Sequence, residues 1–311
     1  MPDNNKHKLL TRAQSKLIDA SVLIFGEQAT EKDAAFIARE LVQVSLPHSN
    51  PGNVPAWQRR NGNTTLVIQS GWNADKGKSY GYPYGTIPRL LLFWITTEAI
   101  RNKGRGCENP RRLELGQTLS GFMAELGLDP NRGGKRSDAK RLRDQMNRLF
   151  QGKFSFHKHQ QDKSRDGHAW LNMEVAPEGE LWWSMKDSQQ TPLWGSWIEL
   201  GQRFFEAITA VPVPIDIRVL RALKRSPLAL DLYSWLTFEA FRAHKSGKPR
   251  YETWTQLHAH IGSEYGRLDN FRSKVKAALR KIQIVYPSLK LGRKQGGIEI
   301  LPESYPALQP R

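Results

Sequence analysis

Trp94-Ile95-Thr96-Thr97-Glu98-Ala99-Ile100-Arg101 and Trp235-Leu236-Thr237-Phe238-Glu239-Ala240-Phe241-Arg242 are one pattern written twice, 141 residues apart. A second match follows. Arg141-Leu142-Arg143 with Met146, Arg148 and Leu149 corresponds to Lys274-Val275-Lys276 with Leu279, Lys281 and Ile282, now 133 residues apart. The spacing shrinks between the matches, as it does when shared helices are joined by loops of unequal length. A period this long fits a duplicated domain and not a solenoid repeat.

Each copy carries the same order of elements. A long apolar helix comes first, over about 87–102 and about 227–244, the latter opened by Ser226 as N-cap and Pro227 at its first position. A short strand and a second helix follow, within Leu113 to Leu126 before Gly127 and Tyr251 to Ile261 before Gly262. A basic helix comes next, capped by Ser137 or Asp138 in the first copy and by Asp269 in the second. Two strands around a basic turn close the unit: 153–160 and 168–175, then 283–291 and 298–301. This is the winged-helix order, a helix-turn-helix variant whose last helix enters the major groove. Before the repeat, Leu17, Ile18, Val22 and Leu23, then Ala35, Ile37 and Leu41, suggest two helices; residues 46–64 read as a loop and Leu66-Val67-Ile68 as a strand. Tyr80 to Gly85 forces turns, and Val211-Pro212-Val213-Pro214 reads as a hinge between copies. The expected class is therefore α+β: two tandem winged-helix domains related by internal duplication, over 61–210 and 211–303, with a helical N-terminal extension over 1–60 and a tail over 304–311.

Composition narrows the partner. Of 311 residues, 47 are Lys or Arg and 30 Asp or Glu, a formal charge of +17, and so large an excess calls for a polyanion. One cysteine, Cys107, allows no intrachain disulfide, and its Gly-rich surroundings read as a loop and not as a nucleophile's setting. The segment Met1 to Lys6 is polar, and no apolar run approaches the ~20 residues needed to span a bilayer. A soluble, cytoplasmic chain without membrane contact is expected.

The two basic helices differ in what they can read. In the first, Ala139, Leu142, Met146 and Leu149 form the buried stripe, and Lys140, Arg141, Asp144, Asn147 and Arg148 the exposed face. Asp144 at the centre of that face repels phosphate, and Lys140, Arg141 and Arg148 around it are the candidates for phosphate contacts. In the second, Phe271, Val275, Ala278, Leu279 and Ile282 face inward, while Asp269, Asn270, Ser273, Lys276, Ala277 and Arg280 face out. A guanidinium suited to guanine, an amide suited to adenine and small residues between them make a base-reading surface. Arg272, Lys274 and Lys281 on the flanks, with Arg293 and Lys294 in the second hairpin turn, are candidates for phosphates.

The blocks are specific enough to resemble a family. Tyr84-Gly85-Thr86-Ile87-Pro88-Arg89-Leu90-Leu91-Leu92, running into Trp94 to Ala99, is similar to a motif of plasmid-encoded RepA replication initiators. Leu119 to Gly127, Pro214 to Lys224 and Leu228 to Thr237 fit the same family in the same order, so the resemblance covers about residues 60–303. It implies binding to repeated double-stranded sites at a plasmid origin, opening of nearby duplex and recruitment of a host replicative helicase and host initiator protein. It also implies that the first copy serves dimerisation, hence a homodimer, and backbone contacts, and the second base reading. It implies no catalysis, cofactor or metal. A transcriptional repressor is the nearest alternative, a metal-dependent rolling-circle nickase the next.

Sharper chemistry fails on spacing. Gly71 to Ser79 resembles a phosphate-binding loop with one residue too many between its glycines, and Tyr80-Gly81-Tyr82-Pro83 cannot open the helix that would hold the phosphates. His258-Ala259-His260 has the letters of a nickase metal pair, but in a helix side chains at i and i+2 diverge. His157-Lys158-His159 shares a strand face around a charged centre, and both pairs read as surface histidines. Trp182, Trp183, Trp194 and Trp197 read as packing between domains.

Overall fold

A computed structural model describes residues 11–131, 137–162, 165–182, 195–262, 264–305 and 308. Helix α1 (Arg12–Gly26) is opened by a capping box in which Thr11 and Gln14 satisfy each other's neighbouring backbone amides. The second N-terminal helix is mostly absent: Ala34–Ala38 forms strand β1 and only Arg39–Gln43 a short helix, α2. The alternation of Ala35 and Ile37, both buried, is a strand period whose partner lies far down the chain.

The region expected to be loop contains a strand, β2 (Trp57–Asn61), in a hairpin with β3 (Thr64–Gln69). The glycine-rich segment that imitates a phosphate loop is a small hairpin, β4 (Trp72–Asn73) and β5 (Lys78–Ser79), and the next helix, α3 (Thr86–Gly104), starts only after residues 80–85. Strand β6 (Arg112–Glu114), helix α4 (Leu119–Glu125) and helix α5 (Asp138–Phe150) follow, the last capped by Ser137. Strands β7 (Lys153–Asp162) and β8 (Arg165–Glu174) form the first long hairpin. It joins the β2–β3 hairpin in one antiparallel sheet of order β2-β3-β7-β8. Strand β6 pairs elsewhere, with β10 (Trp197–Glu199), which also takes β9 (Glu178–Glu180).

After α6 (Gln202–Ala210), the expected hinge is itself a strand, β11 (Pro212–Asp216), paired antiparallel with β1 from Ala34↔Asp216 to Ala38↔Pro212. Helix α7 (Ile217–Leu223) leads to α8 (Pro227–Ser246), capped by Ser226 as its sequence requires. Then come β12 (Arg250–Thr253), α9 (Trp254–Ile261), α10 (Leu268–Val285) and β13 (Gly297–Ile300). Two expectations fail here. Asp269 does not cap α10: it lies in the first turn and binds Arg267, the N-cap residue (Nη2–Oδ2 2.6 Å). Residues 283–285 continue α10 and do not begin a strand, so β13 pairs with β12 and meets the preceding segment at a single bridge, Leu291 to Ile300.

The two repeat phrases occupy matching places. Glu98 bonds Arg101 (2.7 Å) on α3 as Glu239 bonds Arg242 (2.8 Å) on α8. Trp94 packs edge-on against Phe122 of α4, and Trp235 lies beside His260 of α9. Both threonines of the pattern, Thr96 and Thr237, are buried. The tryptophans of the 182–197 region do not share one packing role. Trp182 is exposed and Trp197 stacks under Arg112 (4.1 Å), while Trp183 and Trp194 lie outside the described residues.

Charged groups tie the ends of this fold together inside its core. Arg89 on α3 grips Asp231 on α8 through both carboxylate oxygens (2.7 Å each) and also donates to the carbonyls of Leu46, Pro47 and Gly85. His48 completes the group through Nε2 to the same carboxylate (2.8 Å). Beside it, Arg59 of β2 donates to Glu264 (2.7 Å), to the carbonyls of Leu46 and Ile261 and to the Ser45 hydroxyl. Burial works to raise the Asp231 carboxyl, but the charge of Arg89 and the bonds from His48 and Arg89 outweigh it and hold the group below the carboxylate range. Burial pulls the Arg59 guanidinium down to about 10 and lowers the His48 imidazole, against the attraction of their acidic partners.

Breaking one side of such a pair strands a buried charge. Asp231→Asn should lower the unfolding free energy by about 3–5 kcal/mol, while the double variant Arg89→Met, Asp231→Leu should cost far less. Urea unfolding checks both. The pH dependence has two windows. The His48 contribution is present above the ordinary value of 6.5 and is lost as pH falls below it, because the unfolded chain takes up the proton first. The Asp231 contribution is present above 3.8 and is lost only in stronger acid. His48→Gln should therefore flatten the upper window of the stability curve and leave the lower one in place.

Candidate nucleic-acid interface

Helix α10 is held from below and open above. Phe271, Val275, Ala278, Leu279 and Ile282 are buried in the core, as their spacing predicts. Asn270, Ser273, Lys276 and Arg280 are exposed on the opposite side, with Ala277 half-buried between them. Arg272, Lys274 and Lys281 are exposed on the flanks, and the Arg272 guanidinium rests over the Trp254 ring (5.6 Å). After Asp269 the helix carries no acidic residue. Asp269 itself is neutralised locally: the Arg267 side chain, then the Asn270 amide, hold its carboxyl below the ordinary value. The exposed face is thus uniformly cationic apart from its amide and hydroxyl groups.

Two contacts fix the start of this helix, and sequence reasoning missed both. The Glu264 carboxylate, three residues before the N-cap, is clamped by Arg59 and accepts the backbone amides of His48 and Ser49 (2.9 and 3.1 Å). Gly262 lies against the Phe271 ring so closely that a β-carbon there would come within 2.1 Å of it. Only glycine allows α9 and α10 to approach this far. Neither contact leaves a local signal, because its partners are distant in sequence or separated by a turn.

Helix α5 presents a different surface. Lys140, Arg141 and Asp144 are exposed, but Arg141 is paired with Asp138 (3.1 Å). The Arg148 guanidinium turns back onto the chain, donating to the Tyr82 carbonyl (3.2 Å) and lying over the Tyr84 ring (5.2 Å). Lys140 is left as the exposed cation of this face whose side chain has neither an ion pair nor a hydrogen bond among the described residues. In the turn before β13, Arg293 and Lys294 are exposed, and Lys294 sits over the Tyr251 ring (4.1 Å).

The histidine pair of α9 separates as helical geometry requires. His258 bonds the Tyr265 carbonyl (2.7 Å), and His260 bonds Glu252 (2.7 Å). His260 is fully buried, so it is a core residue and not the surface histidine expected from sequence. No group of three or more metal-ligating side chains is assembled among the described residues, and none of their helices is long and apolar enough to cross a membrane.

No curated protein matches the chain. Two solved structures of domains 2 and 3 of RctB are similar. A selenomethionine form has a TM-score of 0.47 at 14% identity, over 82% of this chain and 94% of that one. A second structure, of residues 155–483, has a TM-score of 0.42 at 11% identity, over 84% and 94%. The family model described as plasmid encoded RepA protein matches residues 82–256, more than half of the sequence, and includes α3, α5, α8 and the long hairpin. The chain belongs to the plasmid-encoded RepA protein family.

Proposed function

We propose that this protein is a plasmid replication initiator that binds repeated double-stranded sites at its origin, and that it does so without catalysing a reaction. The observation that carries the reading is the outer face of α10, where five basic side chains, Arg272, Lys274, Lys276, Arg280 and Lys281, surround Asn270, Ser273 and Ala277, and the one acid of the helix, Asp269 in its first turn, is paired with Arg267. A helix of this kind fits the major groove, with Arg280 and Asn270 on base edges and the flanking cations on phosphates. Arg293 and Lys294 lie in the turn that would follow the adjacent backbone.

The matched Trp94 and Trp235 helices, with their matched Glu–Arg pairs, support two winged-helix units derived from one, over about 61–210 and 211–303. In this reading the first unit contacts the DNA backbone through Lys140 and Arg141 and carries the dimer interface, and the second reads bases. Opening of the origin and recruitment of host helicase and host initiator protein complete the proposal. The diverging histidines of α9 argue against a nickase, because the Nε2 of His258 is taken by the Tyr265 carbonyl and that of the buried His260 by Glu252.

Footprinting on the parent plasmid distinguishes the readings. Several phased repeats beside an AT-rich segment are expected, whereas one palindrome at a promoter would indicate a repressor. Supercoiled origin plasmid with magnesium or manganese should remain supercoiled. Specific affinity should fall steeply with salt, with a slope of about −0.9 for each phosphate neutralised. Arg280→Ala should cost about 1–3 kcal/mol on the specific site alone, and Lys140→Ala should weaken specific and scrambled duplexes alike. Arg148→Ala is the poorer probe of the backbone, since its guanidinium also holds Tyr82 and Tyr84. Loss of discrimination in Lys140→Ala, with Arg280→Ala retaining it, would reverse the assignment of the two units.

A further inference from the structure

The outer face of the β2-β3-β7-β8 sheet carries a row of aromatic rings that the duplex-binding surface does not use. Register places His157 opposite Trp170 and His159 opposite His168. Strand alternation sends Leu66, Ile68 and Phe154 into the core from the other face, leaving these rings outside. The rings are ordered against one another. His157 and His168 lie within 17° of parallel at 5.1 Å, joined by Nδ1 and Nε2 at 3.1 Å. His168 and Trp170 lie within 25° at 5.7 Å. Trp170 is nevertheless 64% exposed, so one side of the row is open to solvent.

We infer that this face is a binding platform for single-stranded DNA, whose unpaired bases stack on Trp170 and the His157–His168 pair. Three features select that occupant. A preformed stack of flat rings is complementary to bases, and stacking is available only where bases are unpaired, since a duplex keeps its base faces inside. Around the rings the same sheet face presents Gln58, Thr65, Ser155 and Asn172, with Val67 half-buried between Gln58 and Ser155, a mostly polar set that suits base edges and sugars better than the aliphatic side chains of a protein partner. Arg60 supplies an exposed cation on this face, Lys153 offsets Glu174 (3.7 Å), and Asp166 lies 3.7 Å from His159. The choice of DNA over RNA rests on the initiator reading, because an initiator that opens duplex creates single strand beside itself.

The test uses the full chain and a labelled thymine-rich oligonucleotide of about 15 nucleotides, read by fluorescence anisotropy. Trp170→Ala and Trp170→Leu should each weaken single-strand binding about tenfold or more, and Trp170→Phe should restore it to within about threefold of the parent. Leucine keeps the bulk and loses the π-face, so it separates stacking from apolar contact. Duplex affinity should be unchanged in all three. The inference is overturned if the parent ignores the oligonucleotide while still binding duplex, or if the alanine and leucine variants bind it as the parent does. Tighter binding to the matching RNA overturns the choice of DNA. Sedimentation as a dimer that Trp170→Ala dissociates would instead assign the face to a second copy. Absence of any specific duplex site would defeat the initiator reading alone, because the loss of stacking in Trp170→Ala is measured independently of it.

Discussion

Two arginines from the first half of the chain, Arg59 and Arg89, each reach a carboxylate in the second half with almost no solvent around them. A guanidinium in such a place is tolerable only if nearly all its donors are used, and here they are shared among Asp231, Glu264 and the carbonyls of residues 46, 47, 85 and 261. The cost of leaving any of these unpaired fixes the relative placement of α3, α8 and the 45–49 segment far more sharply than apolar packing alone would. Hydrophobic side chains tolerate small slides against one another; a bidentate ion pair does not.

That constraint reaches the candidate interface through Glu264. The same carboxylate that satisfies Arg59 also collects the amides of His48 and Ser49, and the chain enters α10 a few residues later. The cationic face of α10 is therefore oriented from both ends of its entry turn, by charge at Glu264 and by close approach at Gly262 against Phe271. Its exposed residues are left with little internal work. Arg280, Lys276 and Ser273 bond no side chain or carbonyl among the described residues, in contrast to Arg141 and Arg148 on α5. The difference between the two basic helices is thus one of commitment: one has its cations partly spent on the fold, the other has them available.

Most of the helical frame was legible in the sequence because its signals are local. Ser226-Pro227 opens α8, the i, i+4, i+7 stripes of α5 and α10 are buried, and the repeated Trp-x-Thr-x-Glu-Ala phrase lands on equivalent turns of α3 and α8. Failures occurred where distant partners decide. Ala35 and Ile37 form a strand because β11 lies alongside, and β11 was hidden by Pro212 and Pro214, which a two-stranded pairing tolerates where no amide must donate. Ile284 and Val285 look β-forming, yet Val285 continues the buried stripe of α10 and the helix persists to the turn before Pro287. The interface residues of α10 could be named from their face of the helix, whereas Arg59, His48 and Glu264 could not, since nothing within a local window marks partners some 200 residues away.

The pairing of β1 with β11, together with the wrapping of residues 45–49 around the two arginines, makes the second half discontinuous in sequence. Its structural complement includes a strand and a turn encoded before the first half begins. A single crossover between relatives near residue 211 would then join a second half to a foreign strap and a foreign set of buried charges. Hybrids of this kind would need to inherit the 34–59 segment, Arg89 and the C-terminal half together. On the proposed reading of α10, plasmids carrying such a chain would change their origins by substitutions on its open face more readily than by shuffling whole domains.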